Sequence, residues 1–227
     1  MSDAAAVWTV VVPVKGTPAG KSRMSPGVDS ALRALLAEAF ALDTLAAVRD
    51  TPSVGRLIVV TDPEAGPATA RRATALRIPD VEIVPDPGSG LNAAVIAGLG
   101  AAGDAHRAVL LGDLPALVPH DLEEALAAAE THPLAVVPDA QGTGTTLVTA
   151  RPGAVLIPRF GAGSARRHRE AGHVVLDVPA DSTLRLDVDT EADLAEAVAR
   201  GVGAHTRRAL APAELSPPAV RAPSPRR

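Results

Sequence analysis

Short β-branched runs alternate with segments of helical periodicity, and this alternation constrains the fold more than any other feature. Five such runs are bounded by turn residues, at 7–14, 57–61, 81–84, 108–111 and 134–137. Between them, apolar residues recur at helical spacing, most clearly over 32–46 and 122–129. Strands that alternate with helices pair in parallel through right-handed crossovers. The sequence therefore predicts an α/β fold: a mostly parallel, twisted, doubly wound sheet with helices on both faces.

The rhythm changes after residue 137. Residues 139–150 read as a turn and a strand, and 173–178 and 184–188 read as two further short strands. We expect these to form a small antiparallel addition at the edge of the sheet. A last helix is predicted from Thr190, a suitable N-cap with Asp193 three residues later. We expect one domain over residues 1–210 and a Pro- and Arg-rich disordered tail over 211–227.

Composition excludes several classes of function. The chain has 227 residues, of which 47% are apolar, enough to bury the core of one large domain. A net charge of −4, two Phe and one Trp give neither the basic field nor the stacking platforms that nucleic acid requires. Without cysteine, a membrane-spanning run or a basic N-terminal flank, the sequence predicts a cytoplasmic protein with no membrane contact. The six histidines show no paired spacing, so no zinc site or Ser-His-Asp nucleophile is expected.

The loop after the first strand, "VVPVKGTPAGKSRMSP", nearly spells the phosphate loop G-x-x-x-x-G-K-[ST] of nucleoside triphosphatases. Its two glycines stand one residue too close, and the Pro-Gly pair at 26–27 disfavours the helix that should follow. We therefore reject that motif. What remains is a basic loop with Lys15, Lys21 and Arg23, which either binds phosphates or is simply solvated.

Carboxylates follow two of the predicted strands. Asp113 comes directly after the run at 108–111 and Gly112, which suits a hard cation such as Mg²⁺; the alternative is that it caps the helix near residue 119. Asp187 and Asp189 alternate in sequence, so a strand would send both carboxylates to the same face. Asp113 and Asp187 could together hold a metal ion against a phosphate chain.

Glycines and small hydroxyl residues cluster in three other segments. Two of these segments are the run "GTGTT" at 142–146 and the turn with Gly161 and Ser164. Both could donate hydrogen bonds to a phosphate or carboxylate, or could be ordinary turns. The second leads into a predicted short helix whose N-terminus would face an anion. Neither has the third glycine of a dinucleotide fingerprint. Gly90 and Asn92 open a predicted helix, where Asn92 either contacts a nucleobase edge or caps the helix.

Six motifs, taken in chain order, resemble one family. It is the phosphoenolpyruvate (or 2-phospho-L-lactate) guanylyltransferases of coenzyme F420 biosynthesis, and the resemblance runs from about residue 7 to residue 210. The motifs are "VVPVKGTPAGKSRMSP", "LNAAV", "LLGDLPAL", "GTGTT", "PRFGAGSARRHREAG" and "LRLDVDTEADL". The resemblance implies a nucleotidyltransferase-type, Rossmann-like fold and a single guanylyltransferase domain. The opening Val14-Lys15-Gly16 departs from the G-x-G-x-R pattern of sugar nucleotidyltransferases.

The resemblance also implies a role for each candidate site residue. The residues implied in catalysis and in contacts with the GTP phosphates are Lys15, Lys21 and Arg23, with Asp113 as a further catalytic residue. The implied Mg²⁺ ligands are Asp113 and Asp187, and the implied nucleotide side includes Gly90 and Asn92. The residues implied to bind phosphoenolpyruvate are Thr145, Gly161 and Ser164.

The reaction implied by the resemblance is transfer of GMP from GTP to phosphoenolpyruvate. It gives enolpyruvoyl-2-diphospho-5'-guanosine and pyrophosphate, and the product passes to the next transferase of the F420 pathway. Three alternatives stay open at this point. The acceptor could be 2-phospho-L-lactate or 3-phosphoglycerate, the enzyme could be a nucleotidyltransferase acting on a sugar phosphate or a pterin, or the protein could be a GTP-binding regulator or non-catalytic module.

Overall fold

Seven strands of the described part of the chain form one mixed sheet. The computed structural model describes residues 6–14, 30–61 and 81–211. The strands are β1 (Trp8–Val14), β2 (Val54–Thr61), β3 (Val81–Pro85), β4 (His106–Leu110), β5 (Leu134–Pro138), β6 (Thr145–Ala150) and β7 (Val174–Val175). Their spatial order is β3-β2-β1-β4-β6-β5-β7, and β1 pairs in parallel with both β2 and β4. The predicted, mostly parallel α/β sheet is confirmed.

Helices cover both faces of this sheet. The described residues form α1 (Ser30–Arg49), α2 (Leu91–Ala102), α3 (Pro119–Ala129), α4 (Ser164–Glu170), α5 (Glu191–Arg200) and α6 (Ala204–Leu210). Alternate residues of β1 belong to different cores: Val10 packs in one cluster with α1 and α3, whereas Val11 packs in another with α2. This alternation is what a strand buried on both sides requires. Within the described ranges, no helix combines the length and apolar character needed to cross a membrane.

The antiparallel strand lies inside the sheet, so its predicted place at the edge is wrong. β6 runs antiparallel to both β4 and β5, between which it is inserted. All six of its residues are buried, and a strand covered on both faces is stable only in the interior of a sheet. The edge is occupied instead by β7, which pairs in parallel with β5.

The predicted strand at 184–188 is also wrong. A 3₁₀ turn (Thr183–Arg185) opens this segment, and the rest has no regular structure. Its alternating residues Leu184, Leu186 and Val188 are nevertheless buried. The segment therefore has the burial pattern of a strand, but its backbone bonds go to loops rather than to a neighbouring strand.

Two helix N-termini are capped by aspartates. Thr190 and Asp193 form a reciprocal capping box at the start of α5, which confirms the predicted cap. The α6 helix was not predicted, and its cap comes from far away in the chain. The buried Asp43 of α1 accepts hydrogen bonds from the backbone N–H groups of His205 (2.9 Å) and Thr206 (2.8 Å). This bond pair joins the C-terminal helix to α1.

Candidate active site

Asp113 lies in a loop that is anchored on both sides, beyond the carboxyl end of β4. The backbone N–H of Leu111 donates to the carbonyl of Thr146 on β6 (3.0 Å), and that of Leu114 donates to the hydroxyl of Thr44 on α1 (3.1 Å). The N-cap of α3 is Val118, with no side-chain capping bond. The alternative in which Asp113 caps this helix is therefore wrong.

Asp187 is brought to Asp113 by a backbone contact. The N–H of Val188 donates to the carbonyl of Asp113 at 3.0 Å. Burial, followed by the charges of Asp113, Asp139 and Asp189, raises the pKa of Asp187 to about 7. We call these four residues the carboxylate cluster. Asp113 and Asp187 are therefore neighbours in the fold, although they are 74 positions apart in the sequence and their spacing alone left this open.

The donor set of this cluster fits a magnesium ion. Within residues 6–14, 30–61 and 81–211, no group of three or more His, Cys, Asp or Glu side chains is arranged to hold a metal by itself. Magnesium does not require one, because it commonly binds one or two carboxylates together with substrate phosphates and water. Asp113 and Asp187 supply such a pair, and both burial and the neighbouring carboxylates, which raise the pKa of Asp187, are offset when a cation binds to its charged form.

Asp139 has a different role within the cluster. Its carboxylate accepts hydrogen bonds from the backbone N–H groups of Thr143 (2.8 Å) and Gly144 (2.7 Å). A Cβ atom on Gly144 would lie 2.3 Å from Asp139 Oδ2, so only glycine fits this turn. The sequence analysis missed Asp139, although an aspartate directly ahead of a Gly- and Thr-rich turn is a recognisable signal for such a clasp.

Thr145, Gly161 and Ser164 come together at one end of the site. Thr145 is the first residue of β6, and Ser164 is the first residue of α4, the short helix predicted there. The N–H of Ser164 donates to the carbonyl of Gly161 (3.0 Å). Gly161 has a φ of 113°, which side-chain-bearing residues rarely adopt. The side chains of Thr145 and Ser164 are buried, whereas Gly161 is exposed. Their contact with an acceptor acid stays a prediction.

Residues 159–162, which we call the acceptor loop, are held partly by Asn92. The amide of Asn92 accepts from the N–H of Phe160 (2.8 Å) and donates to its carbonyl (3.2 Å). The N-cap of α2 is Gly90, with no side-chain capping bond, so the alternative in which Asn92 caps this helix is wrong. Contact of Gly90 and Asn92 with the nucleotide stays a prediction.

Two side chains of α4 hold the same loop from the other side. The guanidinium of Arg167 donates to the carbonyls of Arg159 (2.9 Å) and Ala162 (2.6 Å). The ring of His168 accepts a hydrogen bond at Nε2 from the N–H of Arg159 (3.0 Å). The sequence analysis considered histidines only as metal ligands or catalytic bases, and no sequence signal marks this contact.

The basic loop predicted to contact the triphosphate lies outside the described residues. Lys15, Lys21 and Arg23 are therefore assigned on sequence alone. The same holds for the tail beyond residue 211.

Comparison with known proteins identifies the family. A family model described as "Guanylyl transferase CofC like" matches residues 8–224. The chain belongs to this family. A phosphoenolpyruvate guanylyltransferase of Sanguibacter keddieii is 45% identical, with 89% of this chain and 84% of the relative covered. One of Streptomyces coelicolor is 47% identical, with 88% and 93% covered. The resemblance drawn from the six motifs is confirmed.

Solved structures show the same fold at low sequence identity. A Desulfovibrio desulfuricans protein described as a nucleotide-diphospho-sugar transferase has a TM-score of 0.60 at 18% identity, covering 85% of this chain and 96% of that one. The Rv0371c protein of Mycobacterium tuberculosis, crystallised with manganese, has a TM-score of 0.54 at 22% identity, with 86% and 100% covered. The predicted nucleotidyltransferase-type fold of this CofC-like chain is thereby confirmed.

Proposed function

We propose that this CofC-like protein transfers GMP from GTP to phosphoenolpyruvate, giving enolpyruvoyl-2-diphospho-5'-guanosine and pyrophosphate in coenzyme F420 biosynthesis. Relatives at 45% and 47% identity, named phosphoenolpyruvate guanylyltransferases, support the reaction class and the acceptor. Within the structure, the observation that carries the proposal is the meeting of Asp113 with Asp187 beyond the carboxyl end of β4. Ligands of doubly wound sheets bind at this end of the strands.

The chemistry needs alignment more than proton transfer. A phosphate oxygen of phosphoenolpyruvate attacks the α-phosphorus of GTP, and a new P–O bond forms. The bond from the α-phosphorus to the oxygen that bridges to the β-phosphorus breaks, and pyrophosphate leaves with that electron pair. Because the attacking oxygen is already an anion, no general base is required. The residues must instead align the two phosphates and offset the negative charge they bring together.

Asp113 and Asp187 would hold Mg²⁺ at this point. When bound, the ion supplies positive charge against the phosphate oxygens. The anchored loop fixes the backbone around Asp113, and the bond from the N–H of Val188 holds the backbone next to Asp187 against it, before substrate arrives. The manganese complex of Rv0371c supports the use of a divalent cation by proteins of this fold.

Basic and neutral donors would complete the substrate contacts. Lys15, Lys21 and Arg23 would contact the triphosphate and stabilise the leaving pyrophosphate, and Gly90 and Asn92 would lie on the nucleotide side. Thr145, Gly161 and Ser164 would hold the carboxylate and phosphate of the acceptor. The partners are thus the small molecules GTP and phosphoenolpyruvate; the cytoplasmic location and the transfer of the product to the next F420-pathway transferase stay predictions.

The decisive experiment measures pyrophosphate release from GTP and Mg²⁺ with purified protein. Parallel reactions contain phosphoenolpyruvate, 2-phospho-L-lactate, 3-phosphoglycerate, a sugar phosphate or no acceptor. We expect release that depends on phosphoenolpyruvate. Preference for another three-carbon acid would keep the reaction class and change the acceptor, whereas preference for the sugar phosphate would indicate a different nucleotidyltransferase. Nucleotide binding without release in any reaction would indicate a non-catalytic module.

A further inference from the structure

One buried histidine joins the two parts of the chain that carry the predicted acceptor contacts. His168 lies on α4 with 0% of its side chain exposed. Its Nδ1 atom lies 3.1 Å from the hydroxyl oxygen of Thr145, the first residue of β6. Its Nε2 atom lies 3.0 Å from the backbone nitrogen of Arg159, the first residue of the acceptor loop. A single ring therefore bridges strand and loop.

The partners of the ring fix its tautomer. A backbone N–H can only donate, so Nε2 must accept the bond from Arg159 and carries no proton. A neutral imidazole then has its proton on Nδ1, which donates to the oxygen of Thr145. Protonation of the ring would require Nε2 to give up the bond from Arg159. The geometry thus specifies the neutral Nδ1–H form.

The surroundings favour the same form. The ring of Phe160 packs edge-on at a centroid distance of 5.1 Å, and the ring of His173 lies at 5.2 Å. Burial first, then the charges of His173, Arg167 and Arg159, lower the pKa of His168 to about 4. Cationic groups therefore face the ring from both the acceptor loop and its own helix.

This arrangement orients the hydroxyl of Thr145. Because Thr145 Oγ1 accepts from His168, the hydroxyl hydrogen is directed away from the ring and is available for an anionic oxygen. The same ring fixes the start of the loop that carries Gly161. The separation between Thr145 and this loop therefore depends on one side chain.

We propose that His168 is a positioning residue for the acceptor acid: as a neutral Nδ1–H imidazole it directs the Thr145 hydroxyl toward the acceptor and sets its distance from the acceptor loop. This assignment rests on the proposed function for the identity of the acceptor. It places His168 on the phosphoenolpyruvate side of the site.

The kinetic test separates the two substrates. His168→Phe removes both bonds at similar ring size, whereas His168→Asn keeps an amide N–H near the place of Nδ1–H. We expect His168→Phe to raise KM for phosphoenolpyruvate about tenfold or more, which is the effect of losing one hydrogen bond between the Thr145 hydroxyl and the acceptor. KM for GTP should stay within about twofold of the wild type. His168→Asn should recover part of the loss, and His120→Asn on the exposed face of α3 is the matched control.

A double-mutant cycle tests the route through Thr145. Thr145→Val keeps the shape of the side chain and removes the hydroxyl, so it should also raise KM for phosphoenolpyruvate. Added to His168→Phe, it should have little further effect, since both changes remove the same oriented donor. Independent, additive effects would contradict the proposed coupling.

A spectroscopic measurement on the wild-type protein requires no variant to fold. Long-range ¹H–¹⁵N correlations of the histidine rings report which nitrogen is protonated, and we expect Nδ1–H for His168 at pH 7. An Nε2–H tautomer would overturn the assignment. If the wild type transfers GMP but His168→Phe has an unchanged KM for phosphoenolpyruvate, the role of His168 is overturned and the proposed function is not. No transfer by the wild type with any acceptor would overturn both.

Discussion

The carboxylate cluster and the acceptor loop are organised by opposite means. In the cluster, burial and three neighbouring carboxylates raise the pKa of Asp187, so like charges are held together against their repulsion. In the acceptor loop, Asn92, Arg167 and His168 satisfy backbone groups through hydrogen bonds with good geometry. One region gathers carboxylates in a buried place, and the other pairs the backbone groups of a loop with side chains.

The difference indicates what each region is prepared for. Several carboxylates gathered in one buried place are often found where function requires them, and here they support the proposed cation site. A loop fixed by hydrogen bonds to two neutral side chains and a guanidinium has its shape set before ligand binds, which reduces the entropy that binding must overcome. Mutations in the cluster should therefore impair chemistry while sparing the fold, and mutations around the loop should impair binding and stability together.

The largest effect is expected from Asp113→Asn. Loss of one carboxylate charge should lower turnover about 10²- to 10³-fold, the range for removal of one electrostatic contact to a transition state. The protein should stay folded, because the anchoring bonds of this loop involve the backbone of its neighbours. Turnover and circular dichroism are measured together, with Asp177→Asn at an exposed position as control. Turnover within about twofold of the wild type would contradict the metal assignment.

Asn92→Ala tests the acceptor loop next. It leaves the N–H and C=O of Phe160 without their side-chain partner, at a cost of about 1–3 kcal/mol in unfolding free energy. We expect KM for phosphoenolpyruvate to rise about tenfold through the loosened loop, and KM for GTP to rise as well through the lost nucleotide contact. Ile96→Ala, at an exposed position on the same helix, is the control. A rise confined to KM for GTP would contradict the role of Asn92 in holding the acceptor loop, and a rise confined to KM for phosphoenolpyruvate would contradict its contact with the nucleotide.

Asp187→Asn should stabilise the protein when no divalent cation is present. The folded state raises the pKa of this carboxyl, so its charge at pH 7.5 costs free energy that the amide avoids. We expect the thermal midpoint to rise about 2–4 °C, which corresponds to about 1 kcal/mol in a chain of this length. Asp193→Ala, which removes the capping box of α5, should lower it by a similar amount. A fall in Asp187→Asn would contradict the repulsion described for the cluster.

The smallest effect concerns pH. Mainly because of burial, the pKa of His168 is lowered to about 4 and the pKa of His173 is also lowered. As pH falls below 6.5, these two histidines therefore bind protons in the unfolded chain but not in the folded one. The contribution of these two rings to stability is therefore lost with acidification, opposite in sign to the contribution of Asp187, whose raised pKa gives stability as pH falls below 7. For His168 we expect about 1 kcal/mol between pH 7 and 5.5. Denaturant titrations of the wild type and His168→Asn should show a shallower pH slope in the variant, whereas equal slopes would contradict a buried neutral ring.

Local sequence information was enough for much of the fold. The alternation of Val-rich runs with helical spacing predicted the parallel sheet, and Thr190 with Asp193 predicted the start of α5. Both signals are short-range, because a strand's burial on two faces and a helix cap are decided within a few residues. The position of β6 inside the sheet depends on which strands it pairs with, and that long-range choice has no local signal.

The candidate site divides in the same way. Asp113, Asp187, Thr145, Gly161 and Ser164 could be proposed as site residues because each stands in a recognisable motif at the end of an element. The meeting of Asp113 with Asp187, the clasp of Asp139 and the bridge of His168 were decided only by the tertiary structure. A side chain's pKa, tautomer and hydrogen-bond partners depend on burial and on groups distant in sequence, and packing alone brings these together.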